Sequence, residues 1–83
     1  MYSIKITPGV DKIFSKLDKR QMDIISKKIE QISINPHHFK PLKADLHGAR
    51  RVHIDKSFVL LYEIDEERKA IIIIDYDHHD NIY

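Results

Sequence analysis

The 83-residue sequence has no cysteine, no tryptophan, two glycines and three prolines. Without cysteine it forms neither a disulfide framework nor a thiolate metal site, which fits a reducing compartment. Because glycine and proline interrupt regular structure, their scarcity predicts few elements joined by short loops. No apolar stretch approaches the roughly 18 to 20 residues of a membrane-spanning helix, and the N-terminal MYSIKITPG lacks a signal-peptide core. We therefore expect a cytoplasmic protein with no membrane contact.

Motifs of several enzyme classes are also missing from the sequence. There is no glycine-rich phosphate loop, no nucleophilic-serine motif and no helix-turn-helix signature. The length allows one small domain over residues 1–83. A hydrophobic content of 42% predicts that this domain folds.

The net charge is only +1, but the charges are unevenly distributed. Residues 38–56 carry five Lys or Arg against two Asp or Glu, whereas residues 57–83 carry two against seven. A basic segment within a nearly neutral chain permits an anionic partner at one site. It gives no strong general attraction to nucleic acid.

Apolar periodicity predicts the element order β-α-α-β-β-β. Residues 2–6 alternate as a half-buried strand does. Two amphipathic helices follow, one beginning at Thr7 and Pro8 and one after Asp18, which has capping-box spacing to Gln21. The second helix is expected to end near Ile34, before Asn35 and Pro36. Three strands then follow at 49–54, 58–64 and 69–75, with links short enough for hairpins.

Four consecutive isoleucines, Ile71 to Ile74, predict a central strand covered on both faces. The first strand is expected to pair with one of the three later strands. The fold class is therefore α+β, with a helical hairpin packed on one face of a mainly antiparallel four-stranded sheet and the other face partly open.

Histidine and arginine gather at one predicted end of this sheet. His53 closes the first strand of the meander, and His78 and His79 follow the isoleucine strand. Imidazole exchanges protons near neutral pH, and arginine binds phosphate with two parallel hydrogen bonds. Arg50 and Arg51 point to opposite faces of their strand, so at most one reaches a given site. We expect these groups to surround one phosphate; the alternative is a solvated strand face.

Other side chains allow two interpretations each. Lys40 and Lys43 either contact phosphate or solubilise a loop, while Phe58 and Tyr83 either stack on a base or belong to the core. His37 and His38 are expected to be surface residues. Adjacent residues rarely converge on one ion, so we expect no metal and no cofactor, although His78, His79 and nearby aspartates are ligand types.

The second half of the chain resembles the RelE/ParE superfamily of type II toxin–antitoxin toxins, and most closely its RelE/YafQ mRNA-interferase branch. The motifs that carry the resemblance occur in order: PLK at 41–43, G-x-R at 48–50, HI through LLYEID at 53–65, the apolar strand at 71–74, and H-x-x-[IL]-[YF] at 79–83. The element order of the whole chain is also that of a RelE-like domain.

This resemblance implies a ribosome-associated endonuclease that cuts mRNA and is inhibited by a cognate antitoxin in a hetero-oligomer. It implies that His53 and His79 transfer the protons, that Arg50 stabilises the phosphate charge, and that Tyr83 orients the substrate. In a second alignment of the C-terminal motif, His78 takes the histidine position instead of His79. The sequence does not choose between the two alignments.

Three positions depart from the pattern of YafQ-like members. Lys40 stands where they have histidine, Ser57 where they have an acidic residue, and Phe58 where they have tryptophan. Two other functions therefore remain: a ParE-like toxin that acts on DNA gyrase without cutting RNA, and a catalytically degenerate homologue that only binds an antitoxin.

Overall fold

The computed structural model describes residues 1–39 and 49–82 and confirms the predicted order of strands and helices. The described strands are β1 Ser3–Ile6, β2 Arg50–Ile54, β3 Phe58–Asp65 and β4 Ala70–His78, and the helices are α1 Pro8–Phe14, α2 Lys19–Ile34 and α3 His79–Ile82. The sequence did not predict α3 or the 3-10 turn at Pro36–His38. No helix within the described ranges has the length and apolar character to cross a membrane.

The four strands form one mixed sheet in the order β1-β4-β3-β2. Strands β2, β3 and β4 are antiparallel neighbours, while β1 runs parallel to β4. The isoleucine strand is therefore an interior strand, as predicted. Strand β2, which carries His53, is an edge strand of the sheet formed by the described residues.

Local signals explain where the helices begin. Pro8 opens α1 after Thr7, which keeps extended backbone angles. Asp18 caps α2, because its carboxylate accepts a hydrogen bond of 2.8 Å from the backbone N–H of Gln21. Asn35 ends α2 before Pro36, as the residue before proline avoids helical angles.

The main core lies between the helices and one face of the sheet. Val10, Phe14, Ile25 and Ile32 from the helices pack against a buried set on the strands consisting of Val52, Ile54, Leu60, Tyr62, Ile71, Ile73 and Tyr76. A smaller cluster lies on the opposite face, where Val59 and Leu61 are covered by Ile74 and Ile82. We call the first the helix face and the second the outer face.

An irregularity in β4 reverses its faces halfway along the strand. Leu61 of β3 pairs with Asp75, but the next residue, Tyr62, pairs with Ile73, so the register skips Ile74. A one-residue bulge moves every later side chain to the other face. Ile73 and Tyr76 therefore both reach the helix face, and Asp75 takes the outer face beside Leu61.

A polar network around Glu66, in the β3–β4 turn, links this turn to the residue before β1 and to the 3-10 turn after α2. Its carboxylate accepts hydrogen bonds from the Tyr2 phenol at 2.8 Å and from the Lys69 ammonium at 2.9 Å, and it contacts His37 Nε2 at 2.7 Å. These hydrogen bonds lower the pKa of Glu66 from its ordinary 4.5 to about 2. The bond from Lys69 contributes most, followed by the bond from Tyr2 and the contact with His37.

Tyr62 connects the buried sheet to the segment after α2. Its side chain is fully buried, and its phenol donates a hydrogen bond of 2.5 Å to the carbonyl of Pro36. Burial raises the pKa of Tyr62 to about 12, although Arg50 opposes the rise. The phenol therefore stays neutral as a donor and holds the Pro36 turn against the sheet.

Substitution of Glu66 by glutamine is expected to lower stability in a pH-dependent way. Because the folded-state pKa of Glu66 is depressed, its carboxylate adds stability that is fully present above about pH 5 and is lost as pH falls toward about 2. Urea unfolding midpoints of wild type and Glu66→Gln should therefore converge on acidification. Glu67→Gln, at the exposed neighbouring position, is the control. A midpoint difference that stays constant with pH contradicts this prediction.

Replacing Tyr62 by phenylalanine is expected to cost about 1–3 kcal/mol, because the buried carbonyl of Pro36 loses its donor. Chemical unfolding of both proteins at neutral pH measures the difference. Tyr2→Phe serves as the comparison, since water replaces its phenol at the surface and the cost is smaller. Equal stability of Tyr62→Phe and wild type shows that the Tyr62 bond does not hold the turn.

Candidate functional site

Strand β2 places Arg51 and His53 on the outer face and Arg50 on the helix face. Val52 and Ile54 are buried on the helix face, and side chains alternate along a strand. Arg50 lies with them, and its guanidinium donates a 2.7 Å hydrogen bond to the carbonyl of Phe39. The expectation that Arg50 and His53 meet at one phosphate is therefore corrected: Arg51 is the arginine that shares a face with His53.

The strand ends do converge, as the sequence predicted. Ile54, Phe58 and His78 form one row across β2, β3 and β4. His53 and Asp77 flank Val59 in the next row. Neighbouring strands are about 4.8 Å apart, so His53 and the end of β4 are separated by about 10 Å between backbones.

The bulge places His78 on the face of the sheet opposite to His53. His78 lies opposite Phe58, and the two rings meet edge to face with centroids 5.6 Å apart. Phe58 itself stacks on Tyr76 at 5.3 Å and packs against the main core. His78 therefore lies on the helix face, opposite to His53.

The chain changes direction immediately after His78. The backbone N–H of His79 still donates to the carbonyl of Ser57, at 2.9 Å, but His79 begins α3. This helix returns over the outer face, where Ile82 packs on Val59 and Leu61. The C-terminal segment thus follows the face that carries Arg51 and His53.

A cleft of about 410 Å³ runs along the open edge of β2. Its lining combines one basic residue from α2, two residues after the Pro36 turn, and three from the strand: Lys28, His38, Phe39, Arg51, Val52 and His53. Four of these six side chains are basic. The cleft can therefore attract an anion and hold two imidazoles beside it.

Lys28 and His38 were not among the predicted site residues. Lys28 stands three residues after Ile25 and four before Ile32, within the buried stripe of α2. A half-buried lysine at stripe spacing is the signal that points to it. His38 had no such signal, because its position depends on the turn held by Tyr62 and Arg50.

The charge on the outer face changes sign across the sheet. Arg51 and His53 lie on β2, whereas Asp75 and Asp77 lie on β4. Two hydrogen bonds lower the pKa of Asp77 and keep it ionised. The larger effect comes from the side-chain amide of Asn81 and the smaller from the backbone N–H of His78. An anionic ligand is therefore favoured at the β2 side of this face.

Three predicted site residues, Lys40, Lys43 and Tyr83, lie outside the described residues. Of the others, the structure brings Arg51 and His53 to one cleft. It places Phe58 and His78 on the helix face, and Arg50 behind the cleft, bound to Phe39.

Three comparisons identify the family. A family described as ParE-like toxin of type II bacterial toxin-antitoxin system matches residues 4–83. A Methanocaldococcus jannaschii protein that carries the name toxin RelE4 is 54% identical over 86 residues, which cover 100% of this chain and 92% of that protein.

Among solved structures, a chain of the RelBE2 toxin-antitoxin complex from Mycobacterium tuberculosis matches with a TM-score of 0.72 and 28% identity, over 94% of this chain and 98% of that one. A chain of the intact E. coli RelBE complex matches with a TM-score of 0.84 and 15% identity, over 94% and 96%, and shows the shared fold. The chain belongs to the ParE-like toxins of type II toxin–antitoxin systems, within the RelE/ParE superfamily.

Proposed function

We propose that this toxin is an endoribonuclease that cuts mRNA on the ribosome, in the cytoplasm. The observation that carries the proposal is the cleft in which Arg51 and His53 share the outer face of an edge strand with Lys28 and His38 beside them. Proton-transfer groups next to fixed cations are what cleavage of a phosphodiester requires.

The proposed reaction uses the substrate's own 2′-hydroxyl as the nucleophile, which restricts it to RNA. An imidazole takes the 2′-hydroxyl proton while O2′ bonds to the adjacent phosphorus. The bond from phosphorus to the departing 5′-oxygen breaks, and a second imidazole protonates that oxygen. The products are a 2′,3′-cyclic phosphate and a 5′-hydroxyl end.

We assign the two imidazoles to His53 and His79. His53 lines the cleft on the outer face, whereas β4 turns His78 toward Phe58 on the other side of the sheet. The terminal partner is taken as His79 because it begins α3, the helix that returns over Val59 and Leu61; its ring stacks on that of His78 at the end of the sheet, with centroids 4.6 Å apart. The same face argument favours Arg51 over Arg50 for the phosphate charge, with Lys28 as a second cation.

The partner proposed for inhibition is a cognate antitoxin protein in a toxin–antitoxin hetero-oligomer. The Mycobacterium tuberculosis relative, at 28% identity, is a toxin-antitoxin complex. Covering the cleft at the β2 edge would block access of RNA to Arg51 and His53.

A second candidate function follows from the family description, which names ParE-like toxins. Such a chain would act on DNA gyrase and would not need the imidazoles. Inducible expression separates the functions: growth arrest with cyclic-phosphate mRNA ends supports the nuclease, and arrest with DNA damage supports the gyrase toxin. No arrest indicates the degenerate, antitoxin-binding homologue.

Alanine substitution at His53 or Arg51 is expected to slow RNA cleavage strongly. Loss of a proton-transfer group costs about 10² to 10⁴-fold, and loss of a preorganised charge-stabilising donor costs about 10² to 10³-fold. Single-turnover cleavage of ribosome-bound mRNA by purified protein measures both. His37→Ala and Arg68→Ala are matched controls, because these exposed residues pair with Glu66 and Asp65 and neither side chain is among those that line the cleft. Retained cleavage by folded His53→Ala and Arg51→Ala rejects the nuclease assignment.

A comparison of the two terminal histidines tests the effect of the bulge. His79→Ala is expected to reduce cleavage by about 10² to 10⁴-fold, because His79 supplies the second proton transfer. His78→Ala is expected to lower stability through the lost Phe58 contact and to reduce cleavage much less. The same cleavage assay, with thermal unfolding as the folding control, distinguishes them. A larger loss of cleavage in folded His78→Ala would reverse the assignment.

A further inference from the structure

The junction of β4 and α3 brings together three side chains of metal-ligand type. One ligand atom from each of His78, His79 and Asp80 lies within 4.8 Å of the others. We infer that these three residues bind a divalent first-row transition ion such as Zn²⁺. The sequence alone argued against this, because adjacent residues rarely converge.

The change from strand to helix explains the convergence. Neighbours in a strand point to opposite faces, but β4 ends at His78 and α3 begins at His79. The two imidazole rings consequently stack, with centroids 4.6 Å apart and planes inclined by 28°. Asp80, in the first turn of α3, places its carboxylate beside both rings.

Each imidazole lies close to one oxygen of the Asp80 carboxylate. His79 Nδ1 lies 3.0 Å from Asp80 Oδ1, and His78 Nδ1 lies 3.5 Å from Asp80 Oδ2. Ligand atoms around a tetrahedral zinc, with bonds of about 2.1 Å, are about 3.4 Å apart. The rings are partly exposed, and both rotate out of their stacked arrangement to direct their lone pairs at one ion.

The local charge also favours a cation. His78 Nδ1 accepts a 3.2 Å hydrogen bond from the backbone N–H of Asp80, and an ion bound at this nitrogen would replace that bond. Asp75 and Asp77 add negative charge just upstream. Two imidazoles and one carboxylate select zinc, nickel or copper over Mg²⁺, which requires oxygen ligands.

The ion would have a functional consequence that rests on the proposed function. A metal bound by His79 removes the imidazole that protonates the departing oxygen. Zinc and RNA cleavage would then be antagonistic at this residue, and water would complete the coordination of the ion.

The test titrates Zn²⁺ into the full chain, prepared without a polyhistidine tag, by calorimetry and by histidine ring NMR signals. We expect one ion per chain with shifts at His78 and His79, and no binding of Mg²⁺. His78→Ala, His79→Gln and Asp80→Asn should each weaken zinc at least about tenfold, the least that changes near a metal usually cost. His37→Ala is the control, because His37 pairs with the single carboxylate of Glu66 among residues 1–39 and 49–82.

Each outcome decides the inference. No zinc binding, or affinity unchanged in folded His79→Gln and Asp80→Asn, leaves only imidazole–carboxylate ion pairs and overturns the site. Loss of zinc binding in His37→Ala would instead indicate that zinc binds at His37 and Glu66, and it would also overturn the proposed site. Zinc bound at His78 and His79 by a chain that does not cut RNA supports the site while rejecting the nuclease function.

Discussion

The one-residue bulge in β4 is the constraint on which the arrangement of this domain depends. Before the bulge, Ile71 and Ile73 enter the core under the helices; after it, Tyr76 does, and His78 lies on the same face at the end of the strand. If side chains alternated along β4 without a bulge, Tyr76 would face the outer side and Asp77 would face the helices. A carboxylate would then lie in an apolar core, which is energetically unfavourable. The bulge thus protects the core and, in the same step, determines which titratable groups face the open side of the sheet.

The second support of the site is the pair of bonds that hold the segment after α2. Tyr62 binds the carbonyl of Pro36, and Arg50 binds that of Phe39, so both ends of this short segment are fixed to the sheet. His38 and Phe39 are thereby positioned beside Arg51 and His53. Arg50 acts as a positioning residue here, because its guanidinium binds a backbone carbonyl and does not lie on the outer face.

Both the proposed RNA cleavage and the proposed metal site use residues at the junction of β4 and α3. α3 covers the small outer cluster through Ile82, and the same turn stacks His78 on His79 beside Asp80. In the two proposals, the group that exchanges protons with RNA and one of the groups that ligate the metal are the same imidazole, that of His79. Both proposals depend on His79 beginning a helix at the sheet end rather than extending the strand.

The sequence by itself determined the element order, the helix boundaries at Asp18 and Ile34, the interior position of the isoleucine strand and the gathering of basic groups at one sheet end. These follow from periodicity, capping and turn chemistry, which are local. Only the tertiary structure decided that Arg51 rather than Arg50 accompanies His53, that Lys28 and His38 join them, and that His78 faces the helices. These outcomes depend on pairing register and on contacts between distant segments, and a single skipped residue in the β3–β4 pairing reverses them without any local signal.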